Sequence, residues 1–68
     1  MSVIVVDARG MRCPWPALRL AKAVREAGAG ASVRVLADDP AAPREIAALA
    51  GQHGWRIEEE DAALIIFA

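Results

Sequence analysis

The sequence predicts a two-layer α/β sandwich in the order β-α-β-α-β-β, a four-stranded mixed sheet carrying two helices on one face. Three observations support this fold class. Four short segments, Val3–Val6, Ser32–Ala37, Trp55–Glu60 and Ala63–Phe67, have the length and the apolar runs or alternation of strands. Two stretches between them repeat apolar residues at helical spacing and open on proline. Proline is tolerated in a helix's first turn because the N–H groups there have no partner. The connections are short, so right-handed β-α-β crossovers stack both helices on the same face.

Taken in order, Val3–Val6 is a continuous β-branched run, the pattern of a strand buried on both sides or at an interior position. Ala8 to Arg12 forms a loop that turns at Gly10. From Pro16 to Ala27, Ala17, Leu20, Ala21 and Val24 fall on one helix face and Arg19, Lys22 and Glu26 on the other. Gly28 and Gly30 end that helix. In the second strand Val33 and Val35 alternate with Ser32 and Arg34. Asp38-Asp39-Pro40 opens the second helix, with Asp39 as N-cap and Pro40 at the first helical position. Ile46, Leu49, Ala50 and His53 line one side of it, and Gly54 stops it. Trp55, Ile57 and Glu59 share a face of the third strand. Asp61-Ala62 is a tight connection into the last strand, Ala63–Phe67.

Length and composition bound the rest. Residues 1–68 are expected to form a single domain, and a chain this short buries only about 60% of its unfolded surface. The hydrophobic fraction of 56% includes sixteen alanines, so the core is thin. The apolar run Ala62–Ala68 is far below the ~20 residues of a membrane span. No basic start precedes Val3–Val6, and a lone thiol suits a reducing compartment, so the cytoplasm is the expected location. A net charge of −1 argues against nucleic-acid binding. That charge is unevenly placed: residues 1–36 hold six basic and two acidic residues, residues 37–68 two basic and seven acidic. The acidic run Glu58–Asp61 reads as a solvated edge that discourages aggregation.

Cys13 is the only cysteine, which excludes an internal disulfide and a metal site of paired cysteines. One histidine and scattered carboxylates suggest no metal site either. The thiol is then either an apolar filler or an exposed reactive sulfur, and the two prolines that follow it, Pro14 and Pro16, favour the second. With Cys13 as helix cap, Pro16 has no N–H to offer and Trp15 is the one local donor for the sulfur. Alternatively the helix starts only at Pro16, since Trp15 precedes a proline, and Cys13 stands on a rigid loop ahead of it. Both arrangements present the sulfur outward near a positive helix end, with Arg12 and Arg9 on the approach. They predict a thiol pKa below the ~8.5 of free cysteine. Gly10 serves the turn, Asp7 bonds the loop backbone, and Asp39 and Pro40 cap a helix without doing chemistry. His53 lies at the far end of its helix and is not expected to act as a base for Cys13. Arg9, Trp15, Arg19 and Lys22, with Arg12 and Arg25 nearby, form the expected docking face for acidic partner proteins, Trp15 as aromatic anchor.

Asp7-Ala8-Arg9-Gly10-Met11-Arg12-Cys13-Pro14-Trp15-Pro16 resembles the Asp-x-x-Gly-Leu-x-Cys-Pro-x-Pro signature of the TusA/SirA family of small sulfur-carrier proteins, with Met11 in place of leucine. Ala37-Asp38-Asp39-Pro40 is similar to that family's second recurring stretch, and the likeness covers essentially the whole chain. The resemblance implies a sulfurtransferase whose Cys13 accepts sulfane sulfur as a persulfide and passes it on, without cofactor or metal. Its implied partners are a protein donor of the cysteine desulfurase or rhodanese-like type and a protein acceptor, with the carrier itself a monomer. Family destinations include tRNA thiolation, molybdenum-cofactor synthesis, sulfur oxidation and thiosulfate use. Lacking a second cysteine suits a carrier, because no neighbouring thiol diverts the persulfide into a disulfide. The other reading is a binding or regulatory module that uses Cys13 as a thiol sensor.

Overall fold

Alternation along the strands decides which side of the sheet is covered. Ile4 and Val6, Val33 and Val35, and Leu64 and Ile66 turn to one face and meet the helices there. Val3 and Val5, Arg34, Ile65 and Phe67 turn to the other face, which among the described residues no helix covers. The computed structural model describes residues 3–61 and 63–68. Its elements are β1 (Val3–Asp7), α1 (Trp15–Ala27), β2 (Ser32–Leu36), α2 (Ala42–His53), β3 (Arg56–Glu60) and β4 (Ala63–Phe67). The sheet order is β1-β2-β4-β3, with β1 parallel to β2 and the other pairs antiparallel. The mixed four-stranded sheet and the element order are those the sequence predicts.

The core is a single layer between sheet and helices. α1 contributes Pro16, Leu20 and Val24, and α2 contributes Ala42, Ile46 and Ala50, at the spacing that keeps one stripe inward. Leu20, Ile46 and Ile66 are fully buried, each worth about 1.5–3 kcal/mol of burial. Small residues on α2 let it approach both α1 and β3. Among the described residues no helix is long and apolar enough to cross a membrane.

Four local expectations are corrected. β1 is an edge strand and not an interior one, with Val3 and Val5 55% and 59% exposed. A run of valines fits the strand wherever it lies, because β-branching favours extended backbone whether or not both faces are covered. α1 begins at Trp15, with Pro14 in the cap position. α2 begins at Ala42, so its first-turn proline is Pro43 and neither Asp39 nor Pro40 occupies the place expected of it. β3 begins at Arg56, while Trp55 stacks on His53 with ring centroids 4.5 Å apart. That stack leaves His53 exposed at the far end of α2. Of the expected Asp61-Ala62 turn, Asp61 sits at φ 53°, and Ala62 lies outside the described residues.

Candidate functional site

Two parallel neighbouring strands end side by side, so the loops that leave β1 and β2 emerge at the same end of the sheet. Loops at that end of parallel strands are where α/β folds build sites. The ladder runs on past the strands, with the Ala8 N–H donating to the Leu36 carbonyl at 2.7 Å. The acidic loop then bonds the cysteine loop at two points. The Gly10 N–H donates to Asp38 Oδ1 at 2.9 Å, and the Cys13 N–H donates to Asp39 Oδ2 at 3.0 Å. Gly10 has φ +81°, a left-handed conformation that glycine adopts without strain. The other oxygen of Asp39 accepts from the Ala41 N–H at 2.8 Å. These backbone bonds, Ala41 first and Cys13 second, hold the Asp39 carboxyl below its usual range, and Arg12 adds to the effect.

The thiol stands one residue ahead of the helix cap, half-buried, behind a cis Cys13–Pro14 bond. Of the two geometries open to the sequence, the structure has the loop: Cys13 does not cap α1. Nor is the Trp15 N–H available to the sulfur, since it donates to the Arg12 carbonyl at 2.9 Å. The expected low thiol pKa is overturned as well. Burial raises it, the Glu45 carboxylate in the first turn of α2 raises it further by hydrogen bonding and charge, and Asp39 contributes charge. The positive helix end of α1 is local, whereas the negative groups come from α2 and its loop, which local sequence does not bring to Cys13.

The remaining expected site residues divide into those near the thiol and those away from it. Arg9 is bound to Asp7 through Nε–Oδ1 at 2.9 Å and Nη2–Oδ2 at 2.8 Å, while its N–H also donates to Asp7. That contact lowers the Asp7 carboxyl from 3.8 to about 2 and occupies the charge expected to face a partner. Arg12 is exposed and its charge acts on Asp39, and Pro16 is buried under the helix start. Trp15 is 59% exposed, so it does not fold over the core. Leu18, one turn along, is 50% exposed and extends the apolar surface beside Cys13. Arg19 and Lys22 share a shallow groove with Val6, Ala23 and Glu26 along β1. Lys22 lies about 10 Å of helix axis below Trp15.

Sequence reasoning missed the roles of Asp38, Asp39 and Glu45. One signal was legible: acidic residues directly after a strand parallel to the one that precedes the cysteine. The arrangement offers a single nucleophile whose loop is held through its backbone by two carboxylates, with a third, Glu45, raising its pKa. Among the described residues no group of three or more His, Cys, Asp or Glu is placed to hold a metal ion.

The chain is similar to known proteins in sequence and in fold. The family profile described as Sulfurtransferase TusA matches residues 4–67. A protein of Archaeoglobus fulgidus named "Putative sulfur carrier protein" is 41% identical over 54 residues, which is 79% of this chain and 70% of that protein. The crystal structure of a SirA-like protein from Desulfitobacterium hafniense matches with a TM-score of 0.77 at 31% identity, covering 93% of this chain and 90% of that one.

Proposed function

The chain belongs to the sulfurtransferase TusA family, and we propose that Cys13 is the atom through which it carries sulfur. The Cys13 thiolate attacks the outer sulfur of a donor protein's persulfide. A new S–S bond forms on Cys13, the donor's own S–S bond breaks, and the donor cysteine leaves as thiolate. The proton lost by Cys13 passes through Glu45 to that leaving thiolate, so thiol plus persulfide becomes persulfide plus thiol with no oxidant or reductant. The acceptor's nucleophile then attacks the terminal sulfur on Cys13 in the same way.

The observation that supports this reading most is the pair of bonds from Asp38 and Asp39 to the Cys13 loop. They fix a lone thiol at the rim without tying up the sulfur. Negative neighbours suit a carrier at rest: the thiol stays protonated until a donor persulfide docks against it and Glu45 takes the proton. Trp15 and Leu18 form the docking surface, with Arg12 and Arg19 at its margin, and Gly10, Pro14 and Pro16 shape the loop that presents the sulfur. Donor and acceptor are proteins of a reducing compartment, the cytoplasm.

Transfer of labelled sulfur from a cysteine desulfurase tests the proposal. Cys13→Ser is expected to keep the fold, by circular dichroism, and to carry no label. Label retained by the serine variant would remove Cys13 from the reaction. A wild-type chain that acquires no label would favour the thiol-sensor reading.

A further inference from the structure

The carboxylates in and just after β3 fall into two sets. On the sheet face away from the helices, Glu58 pairs with Arg56 and Glu60 with Arg34. Glu59 turns to the helix side, opposite Leu64, and Asp61 follows the strand. Among the described residues neither Glu59 nor Asp61 has an ion-pair partner. Both line a groove of about 170 Å³, floored by Ala37, Ala63 and Leu64 and walled by Pro43. That groove lies at the thiol end of the sheet, since Ala37 directly follows β2, Ala63 starts β4 and Asp61 directly follows β3. Pro43 and Glu45 share the first turn of α2. Residues two apart on a helix point about 200° apart around its axis. Glu45 therefore acts on Cys13 from one side of α2 while Pro43 faces the groove on the other. Thiol and groove stand one helix diameter apart, about 10 Å.

We infer that this groove seats an arginine or lysine side chain of a partner protein that docks over Cys13. Such a side chain has an apolar stem and a charged tip, and the groove offers a surface for each. The stem lies on Ala37, Pro43 and Leu64, and the charge meets Glu59 and Asp61. A volume of about 170 Å³ takes one long side chain and is too small for a helix or a strand. A partner laid across the start of α2 then meets opposite charges on its two sides. Arg12 and Arg19 stand on the α1 side with Trp15, and the two carboxylates stand beyond Pro43. That polarity fixes which way round the partner sits over the sulfur. The place of the groove beside Cys13 takes its purpose from the sulfur-carrier reading, whereas binding in it is measurable without sulfur.

Titration of the ¹⁵N-labelled wild-type chain with the peptide acetyl-Gly-Arg-Gly-amide, followed by amide chemical shifts, tests this. It reads binding alone, so its failure is distinct from a failure to carry sulfur. Shifts are expected at the amides of Ala37, Glu59, Asp61 and Ala63, with a Kd on the order of millimolar. The same peptide with glutamate for arginine should give none. Glu59→Gln combined with Asp61→Asn should raise the Kd at least about fivefold, and asparagine tolerates the left-handed backbone at that turn as aspartate does. Ala37→Leu fills the floor while leaving both carboxylates and should weaken binding as well. Circular dichroism confirms that each variant is folded, and the carboxylate pair decides the matter alone should Ala37→Leu not fold. No shift at about 50 mM peptide, shifts confined to other residues, or an unchanged Kd in the carboxylate variant would overturn the proposal. So would putrescine binding as tightly as the peptide, which would assign the groove to free cations and not to a partner's side chain.

Discussion

α1 opens behind Cys13-Pro14-Trp15-Pro16 and α2 behind Asp39-Pro40-Ala41-Ala42-Pro43, and at neither start does a side chain cap its own helix. At the first start the residue in the capping region is a thiol that makes no backbone bond. At the second it is a carboxylate that bonds its own turn through one oxygen and the first start's backbone through the other. The two starts are therefore one device: the second supplies the polar groups that the first lacks. What the first leaves without a backbone bond is a sulfur, the group through which we propose the chain carries sulfur. The difference also explains the electrostatics, since a cysteine judged by its own helix looks electropositive, whereas this one stands among the carboxylates of the next helix.

The comparison breaks if the second start is dispensable. Asp39→Ala is expected to slow sulfur transfer by about tenfold or more, the scale of one charge-assisted hydrogen bond. Asp39→Asn, which keeps an acceptor, should recover part of that loss, and both variants should retain the helical circular dichroism of the wild type. Equal transfer by all three would make Asp39 merely a turn residue.

A smaller effect sharpens the electrostatic half. Glu45→Gln removes the carboxylate charge that raises the Cys13 pKa most, so that pKa should fall toward the ordinary range and alkylation at neutral pH should quicken several-fold. Thiolate absorbance against pH reads this directly. The same substitution should leave the loop bonds to Asp38 and Asp39 in place, separating charge from positioning.

On the first start, Trp15→Ala is expected to weaken donor docking, seen as a raised KM, while alkylation of Cys13 keeps its wild-type rate. An unchanged KM would place the docking surface elsewhere. The smallest effect concerns Asp7, whose carboxyl titrates near 2 against 3.8 when free. A depressed carboxyl stabilises the fold above its unfolded pKa, and that contribution is lost as pH falls through the folded one. The Asp7–Arg9 contact should thus persist to pH 4 and disappear by about pH 2, and salt should weaken it because both side chains are exposed. Carboxyl chemical shifts against pH check the midpoint.

Much of this was open to reading in the sequence because it is local. Alternation at Val33 and Val35 and helical spacing at Leu20 and Val24 need only neighbours, and Ala63–Phe67 matched residue for residue. The cysteine directly ahead of Pro14-Trp15-Pro16 was equally plain. The contacts that make the site are not local: Gly10 reaches Asp38 and Cys13 reaches Asp39 across a whole β-α unit, so the acid pair read as a cap for the nearer helix. The position of β1 was hidden for a related reason. Val3 to Val6 would look the same at an edge or in the middle, and only the order of pairing decides which.

Intact mass of the wild-type chain after incubation with a cysteine desulfurase and cysteine tests the sulfur-carrier claim most directly. The account predicts a gain of one sulfur atom that a reducing thiol removes and that maps to the peptide containing Cys13. An unchanged mass, or added sulfur that maps to any other peptide, would contradict it.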